Sequence, residues 1–340
     1  MTVPPQMIFT PTISLNAYRF TSRAFEAGSD LQAIADLINT CHKADQIERY
    51  TSIASLEADF KHPNLDLARD VRVWEDGDRQ IVAFAGLWMA AETHDPLEGD
   101  LWFQLHPRVR HAGVPAQLLT WAEARMRQIG SDRGVAVNLR GSSRESQIDR
   151  IRFFEANGFK ADRWFHTMGR SLVNSPLAQP QMPDGFTVRP VQALKEAEAW
   201  VEMFNQSFID HWNHHDLTLE DYYHEVEQDP EYKPELDLVA IAPDGTLAGF
   251  CVAAIDTADN QQRHCREGWI NLLGTRRGFR LMGLGRALLL QGLQCLQQHG
   301  MDYAKIGVDS QNPNQAFALY ESAGFRHLYT CPTFIKPLDS

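Results

Sequence analysis

The sequence predicts an α/β fold, of the mixed α+β kind, in which a twisted mixed sheet flanked by helices is built twice. Strand-like and helical segments alternate along both halves of the 340-residue chain, which favours sheets covered by helices. Two landmarks recur in the same order. Arg110 and Gly113 are three residues apart, as are Arg280 and Gly283, and "FFEANGF" in the first half matches "LYESAGF" in the second. Repetition of both landmarks indicates a duplicated unit.

A proline-rich polar segment, "NSPLAQPQMPDG", separates the two copies and is typical of a linker. We therefore predict a first domain at 1–173, a linker at 174–185 and a second domain at 186–340. The second domain is predicted to contain a strand at 186–191, helices at 192–208 and 218–228, a hairpin at 236–256 that turns at Asp244-Gly245, a strand at 268–275, a helix at 286–299, a strand at 303–309, a helix at 313–324 and strand material at 325–336. The first is predicted to contain a strand at 17–25, a helix at 30–44, strands at 71–76, 80–90 and 99–107, a helix at 108–126, a strand at 134–140 and a helix at 147–159.

Composition and charge exclude several function classes. A hydrophobic fraction of 44% with 22% charged residues is typical of a globular protein. The net charge of -12 argues against a nucleic-acid partner, because phosphate binding needs a basic surface, and it is compatible with a cationic amine substrate. The N-terminus does not resemble a signal peptide, no stretch approaches the ~20 apolar residues of a membrane span, and five scattered cysteines suit a reducing compartment. We therefore expect a cytoplasmic protein with neither a nucleic-acid nor a membrane partner.

The stretch "RGFRLMGLGRALLL" at 277–290 has two glycines ahead of a helix-forming run. Gly283 and Gly285 carry no Cβ, so their main chain can approach a ligand closely. The run from Arg286 to His299 has leucines at helical spacing, which places free N–H groups and the positive end of the helix dipole at the turn. Such a turn suits a phosphate or pyrophosphate. The stretch alone leaves open an ordinary glycine turn into a surface helix.

A second motif turns this observation into a family resemblance. "RLMGLG" (280–285) follows one predicted strand, and "NPNQAFALYESAGF" (312–325) follows the next. On these motifs, most of 186–337 resembles the GNAT superfamily of acyl-CoA N-acyltransferases. The match departs from the family at Leu281, where the family often has glycine.

A dinucleotide-binding Rossmann turn is the competing interpretation. Asp309 ends the next strand, near the place of a ribose-binding acid. That fingerprint, however, requires a third glycine where this chain has Leu288, and it follows the first strand of its domain, whereas about three strands precede the turn here. The acyl-CoA interpretation is therefore preferred.

The resemblance implies acetyl-CoA as co-substrate and no metal. In the family, main-chain N–H groups of this turn bind the pyrophosphate of coenzyme A, and two strands splay apart to hold the pantetheine arm. An arginine, Arg280 or Arg286, would add charge. The implied cofactor-binding residues are Leu273, Gly274, Thr275, Arg280, Leu281, Met282, Gly283, Leu284, Gly285, Arg286 and Asn312. Asn312 is equally a candidate helix cap.

Two side chains are candidates for proton transfer. Tyr320 lies at the family's usual tyrosine position, where a phenol can donate a proton to the departing sulfur; the alternative is a packing aromatic. Glu267 is the predicted base, because it is the carboxylate on the strand that the resemblance places beside the arm; the alternative is a solvated residue at a strand edge. Strand alternation would place Glu267, Trp269, Asn271, Leu273 and Thr275 on one face.

The acceptor is expected to contact the loop between the first two helices of the second domain. Trp212, His214 and Asn271 are the predicted substrate-binding residues. The His-x-x-His spacing at 211 and 214 has no third ligand that would support a metal site.

The first domain has different residues at two positions on which the proposed chemistry depends. Pro115 stands where the second domain has Gly285, which removes an N–H, and Phe154 stands where it has Tyr320. Tandem members of the superfamily, mycothiol synthase among them, show such a division, and the tail "GVDSQNPNQAFALYESAGF" resembles theirs.

The sequence leaves the acceptor, the acyl length and the oligomeric state open. The resemblance implies an N-acetyltransferase that acetylates a primary amine of a small molecule or peptide in its second domain. The alternatives are a mycothiol-synthase-like acyltransferase and a non-catalytic acyl-CoA sensor or scaffold.

Overall fold

The computed structural model describes residues 20–89, 95–173, 176–211, 216–312 and 316–339. The first half contains β1 (Thr21–Ala24), α1 (Ala27–Ala44), α2 (Ile53–Phe60), α3 (Leu67–Asp70), β2 (Val71–Glu75), β3 (Ile81–Met89), β4 (Leu97–Leu105), α4 (Val114–Arg133), β5 (Val137–Ser142), α5 (Ile148–Ala156) and β6 (Lys160–Ser171). The second half contains β7 (Thr187–Pro190), α6 (Ala197–Phe208), α7 (Leu219–Gln228), β8 (Asp237–Ile241), β9 (Leu247–Ala254), α8 (Thr257–Arg263), β10 (Glu267–Thr275), α9 (Leu284–Gln298), β11 (Tyr303–Asp309), α10 (Ala316–Ser322) and β12 (Arg326–Leu338). No helix in these ranges has the length and apolar composition that a bilayer span requires.

The strands of the described residues form one mixed sheet of 12 strands, in the order β1-β2-β3-β4-β5-β12-β6-β11-β10-β9-β8-β7. β6 and β12 are antiparallel neighbours at its centre. β6 belongs to the first half but pairs with β11, and β12 belongs to the second half but pairs with β5. Each half therefore completes the sheet of the other with its last strand.

The predicted fold class, a mixed sheet flanked by helices in two similar halves, is confirmed. Thr218 caps α7 as predicted, since its hydroxyl accepts a hydrogen bond from the Asp221 amide at 3.1 Å and the Asp221 carboxylate binds back to the Thr218 amide. The sequence analysis missed α2, α3, α8 and β6. The three helices are short, and charged residues at the start of β6 hide its apolar alternation.

The helices cover the two faces of the sheet differently. On one face, called the α9 face, leucines of α9 such as Leu288 pack against Ile270 of β10 and Cys251 of β9. On the other, called the α6 face, Trp200 of α6 packs against Phe250 of β9 with ring centroids 5.2 Å apart. The two faces of β9 and β10 therefore border different cores, an aliphatic one beneath α9 and an aromatic one beneath α6.

Candidate active site

A slot opens between two parallel strands of the second half. β10 and β11 pair from Glu267 and Tyr303 to Ile270 and Ile306, after which both strands continue without pairing to each other. An added Cβ at Gly307 would meet no atom within 4 Å, so the slot borders open space. Strands that separate in this way leave main-chain groups free to pair with an extended ligand. The predicted splay is present in the structure.

A β-bulge in β10 lies at the start of this slot. Ile270 pairs with Ala253 and Leu272 pairs with Val252, so Asn271 is an extra residue that breaks the alternation. Ile270 and Leu273 consequently pack on the α9 face, whereas Leu272 packs on the α6 face.

This bulge corrects one expectation from the sequence. Trp269 lies opposite Ala254, two residues from the Val252 that packs on the α6 face, whereas Leu273 beyond the bulge packs on the α9 face. The prediction that Glu267 and Trp269 share a face with Leu273 and Thr275 is therefore wrong. Sequence alternation cannot reveal an inserted residue within a strand. Asn271 itself is exposed.

The glycine turn between β10 and α9 presents a run of unpaired amides. Leu281 and Gly283 both have left-handed main-chain conformations, with φ of 63° and 87°. The Ala287 amide donates to the Gly283 carbonyl at 3.1 Å, but among the described residues nothing accepts a hydrogen bond from the amides of 281–286. Left-handed residues next to a helix N-terminus form an anion-binding concavity. The turn therefore offers six donors to a phosphate-bearing ligand.

The guanidinium of Arg280 holds this turn in place through three hydrogen bonds. Its Nε donates to the Thr275 carbonyl at 3.2 Å, its Nη2 to the Ser207 carbonyl at 2.9 Å, and its Nη1 to Asp210 at 2.6 Å. Arg277 binds the other oxygen of Asp210, so this carboxylate is shared by two guanidinium groups, and Arg280 uses its donors to shape the turn in this conformation. Arg286 instead donates to the Ser322 hydroxyl of α10.

Gly285 allows α9 to start close to β10. An added Cβ there would lie 3.3 Å from Oγ1 of Thr275, tighter than an ordinary contact. Close helix–strand packing therefore explains this glycine, whereas the left-handed conformation explains Gly283.

Tyr320 of α10 is buried in the α9-face core, 7% exposed, with its ring 6.2 Å from that of Phe325. Burial raises the pKa of its phenol above the ordinary value, so it is protonated at neutral pH. Among the described residues its hydroxyl has no hydrogen-bond partner. A buried phenol without a partner can donate to a ligand atom without breaking an existing bond.

Glu267 lies at the start of β10 in an ion-pair network. Arg263 of α8 and Lys305 of β11 both bind its Oε2, at 2.8 and 2.6 Å, and Oε1 has no partner among the described residues. Burial raises the pKa of this carboxyl, but the hydrogen bonds from the two cations outweigh that effect and hold the pKa below its ordinary value. Glu267 is therefore ionised at neutral pH, with one oxygen available.

The remaining predicted site residues have different positions. Asn312 follows β11, and its main-chain N–H donates to the main-chain carbonyl of Asp309 at 3.0 Å. Trp212 and His214 lie outside the described residues. Asp259, Cys265 and Glu267 come within 4.8 Å of one another, but Arg263 pairs with both carboxylates and Lys305 pairs with Glu267, so two cations already balance the two carboxylates.

The first half lacks the anion-binding turn. Gly113, the cap of α4, has a φ of -73°, and Pro115 in the first turn of that helix has no N–H. Phe154 stacks on Phe334 with ring centroids 5.0 Å apart and offers no proton. The two losses predicted from the sequence thus accompany a change in turn conformation.

Comparisons with known proteins agree with this geometry. The model of the acetyltransferase (GNAT) family matches residues 197–325. The mycothiol acetyltransferase of Thermobispora bispora is 30% identical over 300 residues, which cover 88% of this chain and 94% of that protein. A GCN5-related N-acetyltransferase from Sphaerobacter thermophilus superimposes with a TM-score of 0.70 at 25% identity, covering 95% of this chain and 96% of that one. A tandem GNAT protein from the clavulanic acid biosynthesis pathway has the same fold, with a TM-score of 0.69 at 14% identity over 94% of this chain and 99% of that one.

Proposed function

The chain belongs to the GNAT family of acetyltransferases, and we propose that its second half transfers an acetyl group from acetyl-CoA to a primary amine. The observation that carries the proposal is the run of six amides at 281–286 with no acceptor among the described residues, at the turn that follows β10. A diphosphate needs such a set of fixed donors, and the slot beside it suits an extended, amide-bearing arm.

Binding and proton transfer fall to different parts of the site. The amides of 281–286 would bind the diphosphate, and the main chain of Leu273, Gly274 and Thr275 would bind the pantetheine arm. The thioester supplies an activated acyl carbon. The Tyr320 hydroxyl, kept protonated by burial, would give its proton to the departing sulfur. Oε1 of Glu267 would accept the proton of the amine, directly or through a water molecule.

The acceptor is proposed to reach the slot from the α6 face. Asn271 is exposed at the bulge and could orient it. Trp212 and His214 stay predicted contacts. The net charge of -12 favours a cationic amine over an anionic acceptor.

A narrower candidate is a mycothiol acetyltransferase. It is favoured by the relative that is 30% identical over 300 residues, an alignment that covers 88% of this chain and therefore takes in most of the first half. This candidate predicts that the acceptor of that relative is acetylated faster than other primary amines.

Release of free thiol from acetyl-CoA tests the proposal across a panel of primary amines, with acetyl-CoA binding measured in parallel. Binding with amine-dependent thiol release is the expected result. Binding without release for every amine would favour a non-catalytic acyl-CoA sensor. Absence of binding would overturn the proposal.

A further inference from the structure

In the first half, an arginine side chain bridges the strands that correspond to the slot. β4 and β5 pair from Leu97 and Val137 to Asp100 and Arg140 and then separate, as β10 and β11 do. Nη1 of Arg150 donates to the Phe103 carbonyl of β4 at 3.0 Å, and its Nε donates to the Ser142 carbonyl of β5 at 2.8 Å. The side chain therefore connects the two strands beyond the point where their own pairing ends.

The corresponding residue of the second half is Ala316. Arg150 precedes Phe154 by four residues, and Ala316 precedes Tyr320 by four. A methyl group cannot reach across the slot and has no donor. The difference between the two halves at this position is therefore a whole guanidinium.

The two carbonyls bound by Arg150 also have counterparts beside the open slot. Phe103 precedes Arg110 by seven residues, as Leu273 precedes Arg280. Ser142 pairs with Thr333 of β12, as Gly307 pairs with Thr167 of β6. Arg150 thus binds the counterparts of Leu273 and Gly307, the positions between which the arm of acyl-CoA is proposed to lie.

The surroundings of Arg150 hold it in place. Its guanidinium carbon lies 3.8 Å from the centroid of the Phe103 ring. Burial lowers its pKa to about 10, so it still carries its charge at neutral pH. The nearby carboxylate of Asp45 is bound by Arg110 and by Gln147. The bridge is therefore a fixed, charged element of the first half.

We propose that Arg150 permanently occupies the acyl-CoA slot of the first half, that the small side chain of Ala316 keeps the second slot open, and that each chain binds one acyl-CoA. The inference rests on the proposed function, since it takes the slot of the second half as the acyl-CoA site. The first-half turn supports the inference independently. Gly113 lacks the left-handed conformation and Pro115 lacks an N–H, so this turn does not form an anion-binding site for the diphosphate either.

Isothermal titration of the full chain with coenzyme A tests the stoichiometry. One molecule bound per chain is expected. Two molecules per chain would overturn the inference and leave the proposed function intact. No binding at all would instead refute the proposed function, so the two failures are distinguishable.

Substitution at position 316 tests the role of the side chain. Ala316→Arg should close the second slot and weaken coenzyme A binding at least tenfold, with the melting temperature unchanged or raised. Ala318→Arg is the matched control: Ala318 is exposed on the same helix, and its first-half counterpart, Arg152, is an exposed arginine. The control should bind coenzyme A like the wild type. Equal affinity of Ala316→Arg and wild type would overturn the inference. Ala316→Met, which fills the same opening without charge, is expected to show the same loss and serves if the arginine variant fails to fold.

Discussion

Arg280 and Arg110 hold the same position in two copies of one turn. Each Nε donates to the main-chain carbonyl five residues earlier, in both cases at 3.2 Å, and each Nη1 binds an aspartate, Asp210 or Asp45. The first half has the same arginine contacts, although its turn lacks the left-handed glycine and one of the amides proposed to bind the diphosphate in the second half. The arginine therefore belongs to the strand-to-helix turn itself rather than to ligand binding alone.

Replacing the two arginines by lysine should separate stability from ligand binding. A lysine cannot donate to a carbonyl and an aspartate in the same fork geometry, so Arg280→Lys and Arg110→Lys should each lower the free energy of unfolding by about 1–2 kcal/mol. Only Arg280→Lys should also weaken coenzyme A binding, because only its turn presents the amides. Denaturant unfolding and titration calorimetry measure the two effects. An equal loss of affinity in Arg110→Lys would contradict this division.

Gly283 and Gly113 form a second matched pair. A Cβ at Gly283 would meet no atom within 4 Å, so the cost of Gly283→Ala comes from its φ of 87° alone, roughly 1–2 kcal/mol. We expect a higher KM for acetyl-CoA, because relief of the strain turns the amides away from the diphosphate. Gly113→Ala, at a φ of -73°, should leave stability and KM close to wild type. Steady-state kinetics with a saturating amine measure the difference. An unchanged KM in Gly283→Ala would count against diphosphate binding by the amides of this turn.

Tyr320→Phe tests the proton donor. The substitution keeps the ring that packs near Phe325 and removes the hydroxyl, so the protein should fold normally with little change in acetyl-CoA affinity. Loss of a general acid should lower kcat about 100-fold. Phe154→Leu in the first half is the control and should leave kcat unchanged, with some loss of stability because Phe154 is fully buried. Equal kcat for wild type and Tyr320→Phe would rule out the donor role.

The ion pairs of Glu267 make a pH-dependent prediction. Arg263 and Lys305 hold the pKa of the Glu267 carboxyl below its ordinary value despite burial. The ion pairs therefore stabilise the folded protein at a pH above the unfolded-state pKa of this carboxyl, and that stabilisation is lost as the pH falls through the folded-state pKa. Lys305→Met removes one cation, raises the pKa of Glu267 and should shift the acid limb of kcat/KM to higher pH. Glu267→Gln should lower kcat about tenfold or more and abolish that limb. An unchanged kcat in Glu267→Gln would leave the carboxylate with a structural role only.

The sequence predicted the features that depend on local pattern and missed those that depend on pairing between distant segments. The glycine turn, the cap at Thr218 and the loss of Tyr320's counterpart at Phe154 are visible in short motifs. The bulge at Asn271 could not be predicted, because it is defined by the register of a neighbouring strand. Arg150 was missed for a related reason: it binds carbonyls 47 and 8 residues away that only the folded sheet brings together.

The exchange of β6 and β12 has the largest consequence for the whole chain. The predicted boundaries, 1–173 and 186–340, stay a prediction, and separation of the halves tests them directly. β11 pairs with β6 over seven residues, from Tyr303 with Ser171 to Asp309 with Phe165, so a second half produced alone would have an unpaired strand edge beside the proposed slot.

We therefore expect residues 179–340 alone to aggregate or self-associate and to release little thiol from acetyl-CoA. The chain can be cut between Ala178 and Gln179, both exposed in the linker, so that no strand is shortened. Co-expression of 1–178 with 179–340 should restore β6 to its place between β11 and β12, giving a 1:1 complex with thiol release close to that of the intact chain. Size-exclusion chromatography and the thiol assay measure both outcomes. A monomeric, fully active 179–340 fragment would show that the sheet of the second half closes without β6, and the exchanged strands would then have no part in catalysis.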